Sequence, residues 1–250
     1  MLDSMTRRRL LKLGSLGLAA IGTGALTLRA DAMPTEASGE LADYADYLAT
    51  AAAGERGTGP AANGEKPDVQ PQGRWAPTES DILGPFYWSG APYRGKITPP
   101  LEPGDVLLVR GRVWSHHTRR PIAGAVLDIW QANAAGRYDN DDPANPPKPG
   151  VFINRARLVT DEQGRYEYET IRPGRYRIAP DQMRPSHIHY LVRAEGHRRL
   201  ITQLYFKGDP FNATDPFIKE SLIIEPETIE IDAGTYEVGT FDIVLAREQG

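Results

Sequence analysis

The sequence predicts an all-β protein, an antiparallel β-sandwich with long loops between short strands. Three observations carry this. The 250 residues include 25 glycines and 21 prolines, well above an ordinary combined share of about 12%, which implies many turns. From Trp75 onward, apolar and turn residues alternate with no sustained helical period. Runs of β-branched, aromatic and aliphatic residues recur at short intervals between Gly, Pro, Asn and Asp.

The elements follow in order. Residues 1–32 read as a twin-arginine signal peptide. Arg7, Arg8, Arg9 and Lys12 form a basic head, residues 13–28 an apolar stretch diluted by Gly and Ala, and Ala30-Asp31-Ala32 a small-x-small cleavage site. The apolar run is short for a permanent span. The mature chain is therefore expected to be exported, periplasmic or extracellular, with no stable membrane span after signal cleavage. Residues 33–74 are expected to hold a short helix over 41–52, then a flexible linker over 54–73. Residues 75–250 are the sandwich domain. Its strands are expected at 106–114, 125–131, 156–160, 165–170, 175–178, 187–194, 200–206, 221–224 and 236–246, with turns such as Asp161-Glu-Gln-Gly164 and Pro173-Gly174 between them.

Composition excludes several classes of function. Hydrophobic residues make up 40% and charged residues 25%, which rules out a wholly disordered or collagenous chain. The net charge is −4, and removing the five basic and two acidic residues of 1–32 takes it to −7. This argues against nucleic acid as a main partner and against polybasic membrane-surface binding. Cysteine is absent, so disulfides, thiolate metal sites and cysteine nucleophiles are excluded. With five histidines and eleven tyrosines, any metal site must use His, carboxylate or Tyr.

Two signals point to such a site. In Arg184-Pro-Ser-His187-Ile-His189 a strand places both imidazoles on one face, at a spacing one metal can bridge. The same pattern also fits a strand with two polar-face residues. Two tyrosines follow small turns, in Gly136-Arg137-Tyr138 and in Pro173-Gly174-Arg175-Tyr176. Each by itself also reads as a strand-start ring packed on the sandwich. A tyrosine ligand binds as phenolate, and ionising it at pH 7 costs about 4 kcal/mol. A hard, highly charged cation offsets that cost, and Fe(III) suits it better than Zn(II) or Fe(II).

The segment Ile129-Trp-Gln-Ala-Asn-Ala-Ala-Gly-Arg-Tyr138 resembles the first-ligand motif of the intradiol ring-cleavage dioxygenases, and within them the protocatechuate 3,4-dioxygenase β-chain branch. The likeness continues through Thr170-Ile-Arg-Pro-Gly-Arg-Tyr176, Arg184-Pro-Ser-His-Ile-His189, Leu200-Ile-Thr-Gln-Leu-Tyr-Phe206 and Gly208-Asp-Pro210, and begins at Leu83-Gly-Pro-Phe-Tyr87. It spans roughly residues 75–245. The resemblance implies one non-haem Fe(III) held by Tyr138, Tyr176, His187 and His189, with a solvent hydroxide as fifth ligand. It implies that Tyr176 is the axial ligand that leaves when substrate binds. Arg184 would stabilise negative charge on the substrate ring, Gln203 would line the oxygen side, and Tyr205 would partner the iron site from behind. The implied reaction cleaves a catecholic small molecule with O₂ to a cis,cis-muconate-type diacid. The segment between Tyr176 and Arg184 is short and lacks tryptophan, which leaves the substrate open. A large helical dimerisation region does not fit in residues 33–74, and a homo-oligomer by another route stays open.

Two alternatives compete with this reading. A non-catalytic transthyretin-like β-sandwich would share the turn pattern but has no need of Arg184, His187 and His189 together. An extradiol Fe(II) enzyme would use two histidines and a carboxylate. Other residues are assigned no function. His116 and His117 are expected in a surface turn and His197 in a solvated one. Residues 139–142 are expected to form a solvated loop, Trp130 to be core, and Tyr166 and Tyr168 to be strand packing.

Overall fold

The structure, a computed structural model, describes residues 75–232 and 234–248. The expected signal peptide, the helix over 41–52 and the linker over 54–73 lie outside these residues. Among the described residues, the chain folds into two five-stranded sheets and a separate hairpin. The all-β expectation holds.

The first sheet is built on the long strand β1 (Val106–Ser115). The second is built on β2 (Val126–Gln131), which pairs with β3 (Arg155–Val159). Strand β4 (Arg165–Ile171) returns to β1. The hairpin follows as β5 (Tyr176–Ala179) and β6 (Gln182–Arg184). Strands β7 (His187–Arg193) and β8 (Leu200–Phe206) then extend the second sheet beside β2. After a 3-10 turn at Glu220–Leu222 come β9 (Ile223–Ile224), β10 (Glu227–Ile231), β11 (Gly234–Thr240) and β12 (Ile243–Leu245). The first sheet runs β10-β11-β1-β12 with β4 also on β1, and the second runs β3-β2-β7-β8-β9.

The core lies between the sheets and follows the two-residue period of strands. Leu107, Val109 and Val113 of β1 meet Leu127 and Ile129 of β2, Ile188, Tyr190 and Val192 of β7, and Leu204 and Phe206 of β8. Tyr166 and Tyr168 are buried among them as expected. The Tyr166 hydroxyl donates to the Phe241 carbonyl, and the hydroxyls of Tyr168 and Tyr190 bond to each other inside the core. Burial pushes the pKa of all three phenols up. Tyr168→Phe strands the Tyr190 hydroxyl without its partner. It should cost about 1–3 kcal/mol, read as a lower denaturant midpoint at unchanged slope.

Four local differences have physical reasons. The expected strand over 236–246 is two strands. The chain breaks at Phe241-Asp242, where the Asp242 carboxylate takes the Arg112 amide at 2.8 Å in place of a ladder bond. Both halves, β11 and β12, lie parallel to β1, and β9 lies parallel to β8. The sheets are therefore mixed rather than purely antiparallel. Strand β10 was not expected, because Glu227-Thr-Ile-Glu-Ile231 reads as half charged. It pairs along β11 and is largely exposed. Strand β6 was missed because Gln-Met-Arg carries no alternation. It exists by pairing with β5.

Strands β2 and β7 are buried on both faces. The outer face of the second sheet is covered by residues 81–87, by the loop after β2 and by the β5–β6 hairpin. A second apolar cluster forms there, with Trp130, Ala132, Tyr138 and Leu191 at its centre and Leu83, Phe86, Tyr87, Tyr176 and Ile201 around it.

Candidate metal centre

The strand register assembles the site on that outer face. On β7, Ile188, Tyr190 and Val192 point into the core, so His187 and His189 point outward together. Across the ladder His187 faces Tyr205 and His189 faces both Gln203 and Trp130. These five side chains therefore share one face. The His187 and His189 Nε2 atoms lie 3.2 Å apart. Two nitrogens each about 2.1 Å from one metal also sit about 3 Å apart. The His187 Nδ1 faces the Pro185 carbonyl at 2.7 Å. A carbonyl only accepts, so Nδ1 carries the proton and the Nε2 lone pair is free for a metal.

The two tyrosines close the site from the other side. Tyr138 sits in the loop after β2, its ring stacked on Phe86 at 4.3 Å. Tyr176 opens β5, edge-on to the Tyr138 ring at 5.6 Å, with its hydroxyl 3.4 Å from the His187 Nε2. The Tyr138 hydroxyl is buried and has no hydrogen-bond partner. A buried polar group is ordinarily paired, so an unpaired hydroxyl beside Tyr176 and the two histidines is available to bind a ligand.

Burial keeps all four groups neutral in the metal-free protein. It pushes His187 down to about 3, with Arg184 adding to the effect. It holds His189 well below its ordinary value, helped by His187 and Arg184. It drives Tyr138 well above the ordinary phenol value, with Tyr176 next in effect, and raises Tyr176 as well. Neutral imidazoles are ready ligands. The phenols need a strong cation to ionise. Two neighbouring phenols, one of them with its hydroxyl unpaired, and two imidazole nitrogens at bridging distance fit a ferric ion.

Arg184, Gln203 and Tyr205 form a buried network beside this cluster. The Arg184 guanidinium donates to Asp215 at 2.7 Å, to the Gln203 carbonyl oxygen at 2.7 Å and to the Tyr205 oxygen at 3.1 Å. The Gln203 amide donates to the Ile82 carbonyl at 3.0 Å, and the Tyr205 hydroxyl donates to Asp81 at 2.9 Å. Burial raises both the Asp81 carboxyl and the Tyr205 phenol. The structure thus brings together all seven residues singled out from the sequence.

Sequence reasoning missed several supporting groups. Asp81 and Asp215 carry no local signal of their roles. Trp130 is core, as expected, yet its ring also stacks on His189 at 4.8 Å and 6°. The expectation of a solvated loop fails at Asp139. Its side chain is 1% exposed and binds the equally buried Arg155, which also donates to the Phe86 carbonyl and Asn140. The Tyr138 loop is thereby pinned from beneath. His117 lies exposed in a turn, as expected, whereas His197 is half-buried rather than solvated. Ser115 Oγ lies 2.9 Å from the His117 Nδ1 and 2.9 Å from the His197 Nε2, because a bridge between His197 and Arg247 carries that turn to the end of β1.

A β-sandwich that brings two tyrosines and two histidines together on one face offers a set of side chains able to ligate a metal. Comparison with known proteins fixes the class. Residues 82–247 match the family model Dioxygenase_C, described as dioxygenase. The chain is 36% identical over 195 residues to the chlorocatechol 1,2-dioxygenase of Rhodococcus opacus, covering 70% of this chain and 74% of that one. It is 39% identical over 144 residues to the protocatechuate 3,4-dioxygenase β chain of Burkholderia cepacia, covering 56% of this chain and 60% of that one. The crystal structure of 3-chlorocatechol 1,2-dioxygenase from Rhodococcus opacus 1CP superposes with a TM-score of 0.63 at 30% identity, covering 69% of this chain and 73% of that one. The chain belongs to the intradiol ring-cleaving dioxygenase family. It spans three quarters of the first relative's length and less than two thirds of the second's.

Proposed function

We propose that the protein is an exported, non-haem Fe(III)-dependent intradiol dioxygenase that opens a catecholic ring with O₂ to a cis,cis-muconate-type diacid. One observation carries this reading: Tyr138, Tyr176, His187 and His189 converge on one buried point, with two imidazole nitrogens 3.2 Å apart. The export part rests on the amino-terminal twin-arginine pattern alone.

A ferric ion bound there would offset the charge of the phenolates and of the catecholate, and would activate the ring toward O₂. The rest falls to the chain itself. Tyr176 stands on the two-stranded hairpin rather than within either main sheet, and would be the ligand that gives way to substrate. Its phenolate oxygen would then take one proton from the substrate, and burial, which raises this phenol above its ordinary value, favours the protonated form. Arg184 sets a fixed positive charge beside the reacting ring, held by three acceptors, so no reorganisation is needed as negative charge develops. Gln203, 0% exposed, fixes the guanidinium and walls that side of the site. Trp130 and Phe86 stack on His189 and Tyr138 and exclude water.

The alternatives fare less well. A transthyretin-like binding module does not account for the converging ligands. Among the described residues, no three His, Cys, Asp or Glu side chains gather as an extradiol site requires.

Oxygen uptake should be measured across catechol, protocatechuate, hydroxyquinol and alkyl or chloro catechols. The expected result is stoichiometric uptake with at least one of them and a muconate-type product from a red-brown protein. A colourless protein fully loaded with iron, or a yellow semialdehyde product, would reject the reading.

A further inference from the structure

After β8 the sequence reads Asp209-Pro-Phe-Asn-Ala-Thr-Asp215-Pro-Phe. The triplet Asp-Pro-Phe therefore occurs twice, six residues apart. The two copies make the same contacts. In the first, one Asp209 oxygen accepts the Phe211 amide at 3.0 Å and the other accepts the Arg175 Nε at 2.8 Å. The Phe211 ring lies 5.9 Å from the Arg175 guanidinium. In the second, one Asp215 oxygen accepts the Phe217 amide at 2.8 Å and the other accepts the Arg184 Nε at 2.7 Å. The Phe217 ring lies 4.9 Å from the Arg184 guanidinium. Each copy thus holds one arginine between a carboxylate and an aromatic face.

The two arginines are not arbitrary. Arg175 immediately precedes Tyr176. Arg184 ends the hairpin that Tyr176 begins. Asp209 has a third contact, because the oxygen that takes Arg175 also accepts the Ser186 amide at 3.0 Å. Ser186 immediately precedes His187. A single carboxylate therefore ties the backbone before one candidate ligand to the side chain before another. Asp209 and Asp215 side chains are 3% and 0% exposed, and while Arg184 is 2% exposed Arg175 is 47% exposed, so the second prong is the better shielded from water.

We propose that the Asp-Pro-Phe repeat of residues 209–217 is a two-pronged clamp that positions the reacting groups. Asp209 sets Tyr176 relative to His187, and Asp215 aims Arg184 at the substrate. Both are positioning residues, acting through the groups they hold. The proposal rests on the function proposed above. The two prongs have separable signatures. The Asp209 prong acts on the segments that carry two candidate ligands, whereas the Asp215 prong acts on the Arg184 charge, which Gln203 and Tyr205 also hold.

The test uses Asp209→Asn and Asp215→Asn in the full chain. Asp209→Asn should shift the tyrosinate-to-iron absorption band and lower kcat. Asp215→Asn should shift that band less than Asp209→Asn does and lower kcat by about 10–100-fold, the range seen when an orienting partner is lost. KM should change much less in the second variant. In metal-free protein, amide exchange should quicken at Ser186 in Asp209→Asn and at Phe217 in Asp215→Asn. That readout separates the clamp from the proposed function. Quickened exchange in a protein without oxygen uptake would leave the clamp's geometry standing but sink its catalytic purpose. Removing one partner of a buried pair can unfold a protein. Phe217→Leu therefore serves as a second variant that keeps the Arg184–Asp215 pair, with a smaller fall in kcat and an unmoved band expected. Wild-type band, kcat and exchange in the folded variants would overturn the proposal. So would losses of activity and band in equal proportion in both Asn variants, since that is what simple destabilisation produces.

Discussion

Tyr138→Phe should abolish oxygen uptake and make the metal-free protein more stable. The two effects have opposite sign and one cause. The Tyr138 hydroxyl is buried with no partner in good hydrogen-bonding geometry, only the Tyr176 phenol beside it. An unsatisfied buried donor costs about 1–3 kcal/mol, and phenylalanine fills the same space without it. The ring keeps its stack on Phe86 and its edge contact with Tyr176, so packing changes little. Denaturant unfolding of metal-free wild type and variant should show a gain of about 1 kcal/mol or more. Iron-loaded variant should lose its tyrosinate colour contribution from this residue and at least about a thousandfold in kcat, because an anionic ligand worth charge balance at the metal is gone. A merely structural tyrosine would behave the other way, with activity kept and stability unchanged or lower. Equal or reduced stability of the metal-free variant would show that the hydroxyl has a partner, and the argument for a built metal site would weaken accordingly.

The same logic explains which parts of the site could be read in advance. His187 and His189 were legible because strand geometry is local: residues two apart share a face whatever lies around them. Their burial on both sides of β7 follows from Ile188, Tyr190 and Val192 alternating with them. Tyr138 and Tyr176 were legible through their turns, and family resemblance supplied the pairing between them. The supports were not legible, because their partners lie far along the chain. Asp81 meets Tyr205 across 124 residues, and Arg184 meets Asp215 across 31. Asp139 read as one acid among four in a polar loop, and only Arg155, arriving on β3, makes it a buried anchor. The Asp-Pro-Phe repeat is visible as text, but a triplet repeated once gives no reason to look for arginines. The fold was legible for similar reasons. Strand existence is a local pattern, whereas the parallel placement of β11 and β12 on β1 depends on where the chain returns after leaving the first sheet at Ile171 and rejoining it at Glu227.

Gly136→Ala should be among the most damaging small substitutions in the protein. The two tyrosine turns touch backbone to backbone. Asn133 organises the first, its side-chain oxygen accepting the Ala135 and Arg137 amides at 3.0 and 2.9 Å. Its carbonyl takes the Gly174 amide of the second turn at 2.8 Å. A Cβ on Gly136 would collide with the Arg175 carbonyl, and one on Gly174 with the Ala134 carbonyl and the Gly136 nitrogen. Neither turn can carry a side chain there without moving apart from the other, and Tyr138 and Tyr176 are carried by these turns. Gly136 also has a φ of +76°, which costs a non-glycine residue about 1–3 kcal/mol by itself. Overpacking adds about 1–3 kcal/mol. The expected loss is therefore about 3 kcal/mol or more, a fall in Tm of roughly 6–12 °C for a domain of this size. Two further substitutions separate the causes. Gly150 has a φ of +77° with nothing within 4 Å, so Gly150→Ala carries the backbone strain alone and should cost about 1–3 kcal/mol with the site intact. Gly174 lies outside the left-handed region, so Gly174→Ala carries the collision alone and should disturb the tyrosinate band more than its stability loss would suggest. Gly136→Ala carries both, and should lose stability and iron colour together. If it instead behaves like Gly150→Ala, the two turns do not depend on close approach, and the Gly-Arg-Tyr pattern shared by both ligand segments has no structural reason.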